Sequence, residues 1–226
     1  MEKITMEKIN YDKSHEWMAD SRYVEEFISL ADLNKSHYVL DAGCGSGYVA
    51  AAIRPKVRDL LQIDHDWAML SRNNLAHHTE TLKADLLNLW MLKGSNFDFI
   101  FCRSVLHRLR EPEKAYMEFK RLLKPGGKLV VSVSYSPDSL KGEYLKIMGN
   151  KGFRLYLTYK KWRDFFTKGK DRKLIKDGKI FFKLDLNHWG LLKEHENASK
   201  EFREYFKLSN GIIECSHAYF VLEKNR

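Results

Sequence analysis

The chain has 226 residues, of which 44% are hydrophobic, 13% aromatic and 31% charged. That balance supplies a sizeable core and excludes wholesale disorder, a collagen-like repeat or a mini-protein needing staples; the length suits one elaborated domain, 1–226. Thirty-nine Lys and Arg against 30 Asp and Glu leave a formal charge of +9, which suggests an anionic partner without locating it.

Cys44, Cys102 and Cys215 form no CxxC pair, so a disulfide framework and a zinc knuckle are not expected, and a reducing cytoplasm is. The longest stretch without Asp, Glu, Lys or Arg, Ala42 to Ile53, has 12 residues. That is short of the roughly 18 that span a bilayer. The opening MEKITMEKIN has no apolar signal-peptide core, and a cytoplasmic location is expected.

In chain order, residues 1–35 are predicted as a helical segment, with Tyr11 to Leu33 as the helix and Trp17, Tyr23, Phe27, Ile28 and Leu30 on its apolar face. A cofactor-binding core, 36–140, alternates strands with helices in the pattern of a parallel sheet covered on both faces. Its predicted strands are Tyr38–Asp41, Asp59–Asp64, Thr81–Asp85, Phe97–Cys102 and Lys128–Val133. Pro112 suits a first helical turn, Ala115, Phe119, Leu122 and Leu123 follow at helical spacing, and Lys124-Pro125-Gly126-Gly127 ends that helix. Residues 141–190 read as a basic, aromatic cap. Residues 191–226 read as a last helix and a closing hairpin, Phe206–Cys215 with His217–Glu223, Asn210-Gly211 marking a turn or bulge.

Residues 141–183 contain fourteen Lys or Arg and four Asp or Glu, net +10, so the rest of the chain sums to −1. Interleaved with these charges are Phe153, Tyr156, Tyr159, Trp162, Phe165, Phe166, Phe181 and Phe182. Phosphate contacts plus base stacking on RNA would use that composition. Leu155, Tyr159, Trp162 and Phe166 also follow helical spacing, which suits the apolar face of a lid helix with a solvated basic exterior.

Val39 to Ala50, VLDAGCGSGYVA, ends a strand and opens a helix on three glycines, a turn that brings backbone close to a ligand. Gly45, Gly47 and Ala50 satisfy the G-x-G-x-x-A spacing of a dinucleotide enzyme, which keeps a nicotinamide or flavin reading open. Asp41 favours S-adenosylmethionine instead, because a carboxylate there suits an ammonium group and repels a pyrophosphate. Asp64, ending the next strand, can accept both ribose hydroxyls, and Asp85, ending the third, the adenine amino group. Each of these aspartates has a plainer reading as a helix cap.

VLDAGCGSG, IDHDWAML, ADL at Ala84–Leu86, FDFIFCRSVLHRL and RLLKPGGKLVVSV together resemble a class I S-adenosylmethionine-dependent methyltransferase of the ubiquinone- and menaquinone-biosynthesis type, a small-molecule subgroup. The resemblance covers residues 38–133. It implies an α/β fold: a Rossmann-like three-layer sandwich with a seven-stranded, mostly parallel sheet, order 3-2-1-4-5-7-6, strand 7 antiparallel, plus a helical cap. It further implies that Asp41, Gly43, Cys44, Gly45 and Gly47 hold the methionine part of the cofactor and that Asp64 takes the ribose. His65 and Met69 would line the adenosine, Asp85 and Leu86 would flank the adenine, and Cys102 and Arg103 would lie beneath the methionine chain. Asp66 and Arg108 depart from the family pattern, the latter on the acceptor side.

Such chemistry needs an acceptor held in line with the S–CH₃ bond, away from water. For an acidic acceptor a base helps, and His107 is the first candidate, with His188, Tyr11 and His15 able to reach from the cap or the amino-terminal helix. The (D/N)-P-P-(Y/F) signature of exocyclic-amine enzymes is replaced by Phe101-Cys102-Arg103-Ser104, Cys102 lacks the preceding proline of a cytosine nucleophile, and no catechol-type Asp-Asp-Asn set calls for a metal. The expected function is methyl transfer to an O, N or C acceptor, a small and in one reading anionic metabolite. The alternative is an RNA methyltransferase or RNA-binding protein using 141–183, with a nicotinamide dehydrogenase third. A monomer or homodimer is expected.

Overall fold

A computed structural model describes residues 16–71, 79–136, 157–191 and 196–226. The first element is a 3-10 turn, Glu16–Ala19, followed by helix α1, Ser21–Ile28. One continuous helix from Tyr11 to Leu33 was expected. Asp20 breaks it: its backbone leaves the helical region and its carboxylate accepts the Arg22 N–H, capping α1. Tyr11 and His15 lie outside the described residues.

The core then runs β1 (Tyr38–Ala42), α2 (Tyr48–Ile53), β2 (Asp59–Asp64), α3 (Trp67–Leu70), β3 (Glu80–Lys83) and β4 (Phe97–Arg103). It continues through α4 (Pro112–Leu122), β5 (Leu123–Val133), α5 (Tyr159–Thr167) and β6 (Arg172–Asp185) to α6 (Leu186–Trp189), α7 (Glu196–Tyr205) and β7 (Ile212–Lys224). These strands form one sheet in the order β3-β2-β1-β4-β5-β7-β6. Strands β1 to β5 run parallel, and β7 lies antiparallel between β5 and β6.

Side-chain alternation along the strands sends each sheet face to its own helical layer. Val39, Phe99, Phe101 and Val130 pack with Phe27 of α1 and Ile53 of α2, while Leu40, Ile100, Val131 and Phe220 pack with Phe119 of α4 and Phe166 of α5. The result is the expected three-layer sandwich. Among the described residues no helix is long and apolar enough to cross a membrane.

The carboxyl-terminal hairpin is a correction. Phe206–Cys215 and His217–Glu223 do not pair with each other; Ile212–Lys224 is one strand, and it pairs with β5 on one side and on the other with β6, inside the segment read as a cap. Asn210-Gly211 is the turn that enters β7, with Gly211 at φ +70° and its carbonyl accepting the Leu186 N–H. Strand β6 was hidden because it is an edge. Five of the fourteen cations of 141–183 (Arg172, Lys173, Lys176, Lys179 and Lys183) lie on it, as edge strands use lysine to resist pairing with other chains.

The aromatics of this segment divide. Trp162 and Phe166 are wholly buried, Trp162 donating from Nε1 to the Ser134 carbonyl at 3.1 Å, and Phe182 is buried on the other face. Phe181 is exposed, and Phe153 and Tyr156 lie outside the described residues. From Tyr159 to Phe166 helix α5 follows the apolar-face reading, Trp162 and Phe166 in the core and Tyr159 and Phe165 packed against it; Leu155 lies outside the described residues.

Candidate functional site

The strands β1, β2 and β4 end together at one edge of the sheet, where the glycine loop crosses from β1 to α2. Gly43, Gly45 and Gly47 have φ of +76°, +54° and +84°, values that side chains disfavour. Gly43 is also sterically closed: a Cβ there would sit 2.4 Å from Val105 Cγ2. The N–H groups of Gly43 and Cys44 both donate to the Ile63 carbonyl at 2.7 and 2.9 Å, which folds the loop onto the end of β2.

Asp64 organises the same loop. Its Oδ2 accepts the Gly45 N–H at 2.9 Å and its Oδ1 the Asp66 N–H at 3.0 Å, while each oxygen keeps a second lone pair. His65 Nδ1 lies 3.2 Å from Asp64 Oδ1 with its ring largely exposed, and Met69 on α3 meets Ser46 of the loop, Oγ to Sδ, at 3.9 Å. Asp66 caps α3 through the Ala68 N–H. Asp85 stands two residues past β3, exposed, its Oδ1 accepting the Leu87 N–H across a turn with no helix to cap; Leu86 is buried beside it in sequence.

Asp41 lies under the loop, 1% exposed, and its Oδ2 has no hydrogen-bond partner among the described residues. Burial, opposed by the Arg103 guanidinium and reinforced by Asp64, pushes its pKa up to about 7. Arg103 ends β4, its guanidinium 5.4 Å from the Tyr23 ring centre and donating to the Met18 carbonyl at 2.8 Å. Burial lowers its pKa against the pull of Tyr23, Asp41 and Tyr48. Cys44 and Cys102 are buried thiols, both pushed far up by burial and next by Asp41, so neither supplies a thiolate.

The proposed bases separate. His107 sits in a 3-10 turn after β4, buried, with Nδ1 accepting the Ser134 N–H at 3.2 Å. His188 belongs to α6, where its Nδ1 lies 2.8 Å from Glu16 Oε1 and 3.8 Å from Asp185 Oδ2, tying the amino-terminal 3-10 turn to that helix. Tyr11 lies outside the described residues.

A family model described as a methyltransferase domain matches residues 40–131, from β1 through β5. With the sheet order, this match supports a class I S-adenosylmethionine-dependent methyltransferase. Among curated methyltransferases, the tRNA U34 carboxymethyltransferase of Hydrogenovibrio crunogenus is 32% identical over 133 residues, 55% of this chain and 40% of that protein. The ubiquinone biosynthesis O-methyltransferase of Coxiella burnetii is 26% identical over 115 residues, 49% and 47% of the two chains. This chain thus spans less than half the length of these two relatives.

The same three-layer sandwich recurs among solved structures. The YcgJ protein of Bacillus subtilis superposes at a TM-score of 0.72, covering 91% of this chain and 98% of that one at 20% identity. A [4+2]-cyclase, SpnF, superposes at 0.66 over 90% and 80% of the two chains at 16% identity. A shared sandwich therefore does not fix the reaction.

Three buried residues that sequence reasoning did not connect meet near the ends of β4 and β5. Tyr23 on α1 and Ser104 after β4 bring their hydroxyl oxygens to 2.8 and 3.0 Å from His217 Nδ1, and Tyr23 is 3.4 Å from Ser132 Oγ. Ser104 holds φ +60° to do so. Burial, then Arg108 and Arg103, pull the His217 pKa down to about 3. No motif marks them, because 194 residues separate Tyr23 from His217.

Proposed function

We propose that this protein transfers the methyl group of S-adenosylmethionine to a small acceptor molecule. The observation that carries the reading is Asp41, a carboxylate beneath a glycine loop whose buried Oδ2 has no hydrogen-bond partner among the described residues. Such an oxygen is costly unless a ligand supplies the missing partner, and a cationic ammonium group does so where a pyrophosphate would be repelled.

The residues present fit the cofactor. Asp41 would take its ammonium group, with Gly43, Cys44, Gly45 and Gly47 along the methionine chain and the Arg103 guanidinium suited to its carboxylate. Asp64 would accept the ribose hydroxyls on its remaining lone pairs, His65 and Met69 would line the adenosine, Asp85 and Leu86 would flank the adenine, and Cys102 would support the floor. When bound, the cofactor supplies an electrophilic methyl carbon: the acceptor's lone pair forms the new bond, the C–S bond breaks, and its electron pair returns to sulfur. The chain's own task is to orient the acceptor and exclude water. Where the acceptor carries a proton to be lost, His107, His188 and Tyr11 are the proposed bases.

A small acceptor is favoured because Trp162, Phe165 and Phe166 pack in or against the core, leaving no row of stacking platforms along α5. The test is methyl transfer from labelled cofactor to cell extract separated into small-molecule, RNA and protein fractions. Label in the small-molecule fraction supports the reading, and label confined to RNA overturns it.

A further inference from the structure

We infer that Glu16, Asp185 and His188 form a zinc site that clasps the amino-terminal 3-10 turn to helix α6. One ligand atom from each residue lies within 4.8 Å of the other two, a convergence found once among the described residues. His188 Nδ1 is 2.8 Å from Glu16 Oε1 and 3.8 Å from Asp185 Oδ2. Zinc bonds of about 2.0–2.2 Å in a tetrahedral shell place neighbouring donors about 3.3–3.6 Å apart. The first gap must open and the second close, each by less than about 1 Å, to admit the ion.

The imidazole separates this trio from an ordinary acidic patch. With its ring proton on Nε2, His188 turns the Nδ1 lone pair toward both carboxylates, an arrangement that repels until a cation stands between them. Two carboxylates and a neutral ring carry −2 within the trio, which a divalent ion cancels. Calcium and magnesium prefer shells made of oxygen, whereas an imidazole beside two carboxylates suits zinc, with water completing the shell.

Two of the ligands are held ready by separate features of the fold. Asp185 Oδ1 accepts the Asn187 N–H at 2.8 Å and the His188 N–H at 3.4 Å, capping α6 and fixing the carboxylate with Oδ2 left for the ion. Glu16 comes from 172 residues before His188. Its neighbour Trp17 stacks on Phe182 at 4.5 Å, which delivers the turn to the strand that ends at Asp185.

An ion there acts on the cofactor side of the molecule. Glu16 opens the turn whose Met18 carbonyl accepts the Arg103 guanidinium at the end of β4. Joining that turn to α6 steadies the wall beside Arg103. With zinc bound, His188 is a ligand, and the proposed bases narrow to His107 and Tyr11.

The test is calorimetric titration of the tag-free, chelator-treated protein with zinc chloride, in the absence of S-adenosylmethionine, so that its outcome is independent of the methyltransferase reading. Saturation at one zinc per chain is expected, with magnesium chloride binding at least tenfold more weakly. Glu16→Gln, His188→Gln and Asp185→Asn, the last of which keeps the cap, should each weaken zinc at least tenfold. Glu16 is exposed, so its variant removes a ligand without disturbing packing. Zinc should also slow hydrogen exchange in the Ser21–Ile28 helix at least threefold in wild type and leave it unchanged in Glu16→Gln. No saturable zinc binding by folded wild type, or binding as tight in Glu16→Gln and His188→Gln as in wild type, overturns the site.

Discussion

The Tyr23 hydroxyl lies 2.8 Å from Nδ1 of His217, joining the first helix to the last strand across 194 residues of chain. This contact holds α1 over the carboxyl-terminal ends of β4 and β5, and it has a consequence for stability. His217 has a folded pKa of about 3, whereas an unfolded histidine titrates near 6.5. Below about pH 6.5 the unfolded chain takes up a proton that the folded chain refuses, so this contribution to stability is lost as pH falls toward 3. Melting temperatures measured from pH 7 to pH 4 should fall for wild type and fall less for His217→Asn. Equal slopes would contradict the burial of a neutral imidazole.

Asp41 has the opposite sign. Its folded pKa of about 7 lies above the carboxylate value near 4, so its contribution to stability is present at low pH and lost as pH rises through 7. A bound cation should favour its ionised form. Affinity for S-adenosylmethionine should therefore rise up to tenfold per pH unit below 7 and level off above it, with proton release visible by calorimetry in buffers of different ionisation enthalpy. Asp41→Asn should bind weakly and without that dependence.

Gly43 and Gly45 separate two costs of adding a methyl group. Gly43→Ala meets Val105 at 2.4 Å and keeps φ +76°, so a loss of about 2–4 kcal/mol and of cofactor binding is expected. Gly45→Ala has open space and bears only the strain of φ +54°, about 1–2 kcal/mol. Denaturant titration of the two variants, and of Gly43→Ala with Val105→Ala, checks the order. The double variant should recover part of the clash and none of the backbone strain.

Trp162 and its basic neighbours test what the charged segment does. Trp162→Ala removes a wholly buried indole and its bond to Ser134, and should cost about 3–5 kcal/mol. Neutralising Lys160, Lys161 and Arg163 should leave the melting temperature within a few degrees, at the expense of the Arg163–Asp177 ion pair. A tRNA gel shift at ~50 mM salt, lost in that triple variant, would revive the nucleic-acid reading.

The amino-terminal half of the sheet was legible because each element carries local chemistry. Asp59–Asp64 was placed without error, and the glycines of the loop marked a backbone that only they adopt readily. Strand β6 was not legible, because an edge strand studded with lysine has the composition of a solvated surface. Phe206–Cys215 was assigned to a hairpin because its true partner lies elsewhere in the chain. At the site, Asp41 and Asp64 announced themselves at strand ends, while Tyr23, Ser104 and His217 signify nothing until the fold brings them together.

The central claim meets its most direct test in calorimetry of the purified protein with S-adenosylhomocysteine. Saturable binding by wild type, at least tenfold weaker in an Asp64→Ala variant that still unfolds cooperatively, is the predicted result. Absence of binding by folded wild-type protein, or an Asp64→Ala variant that binds as well as wild type, would contradict it.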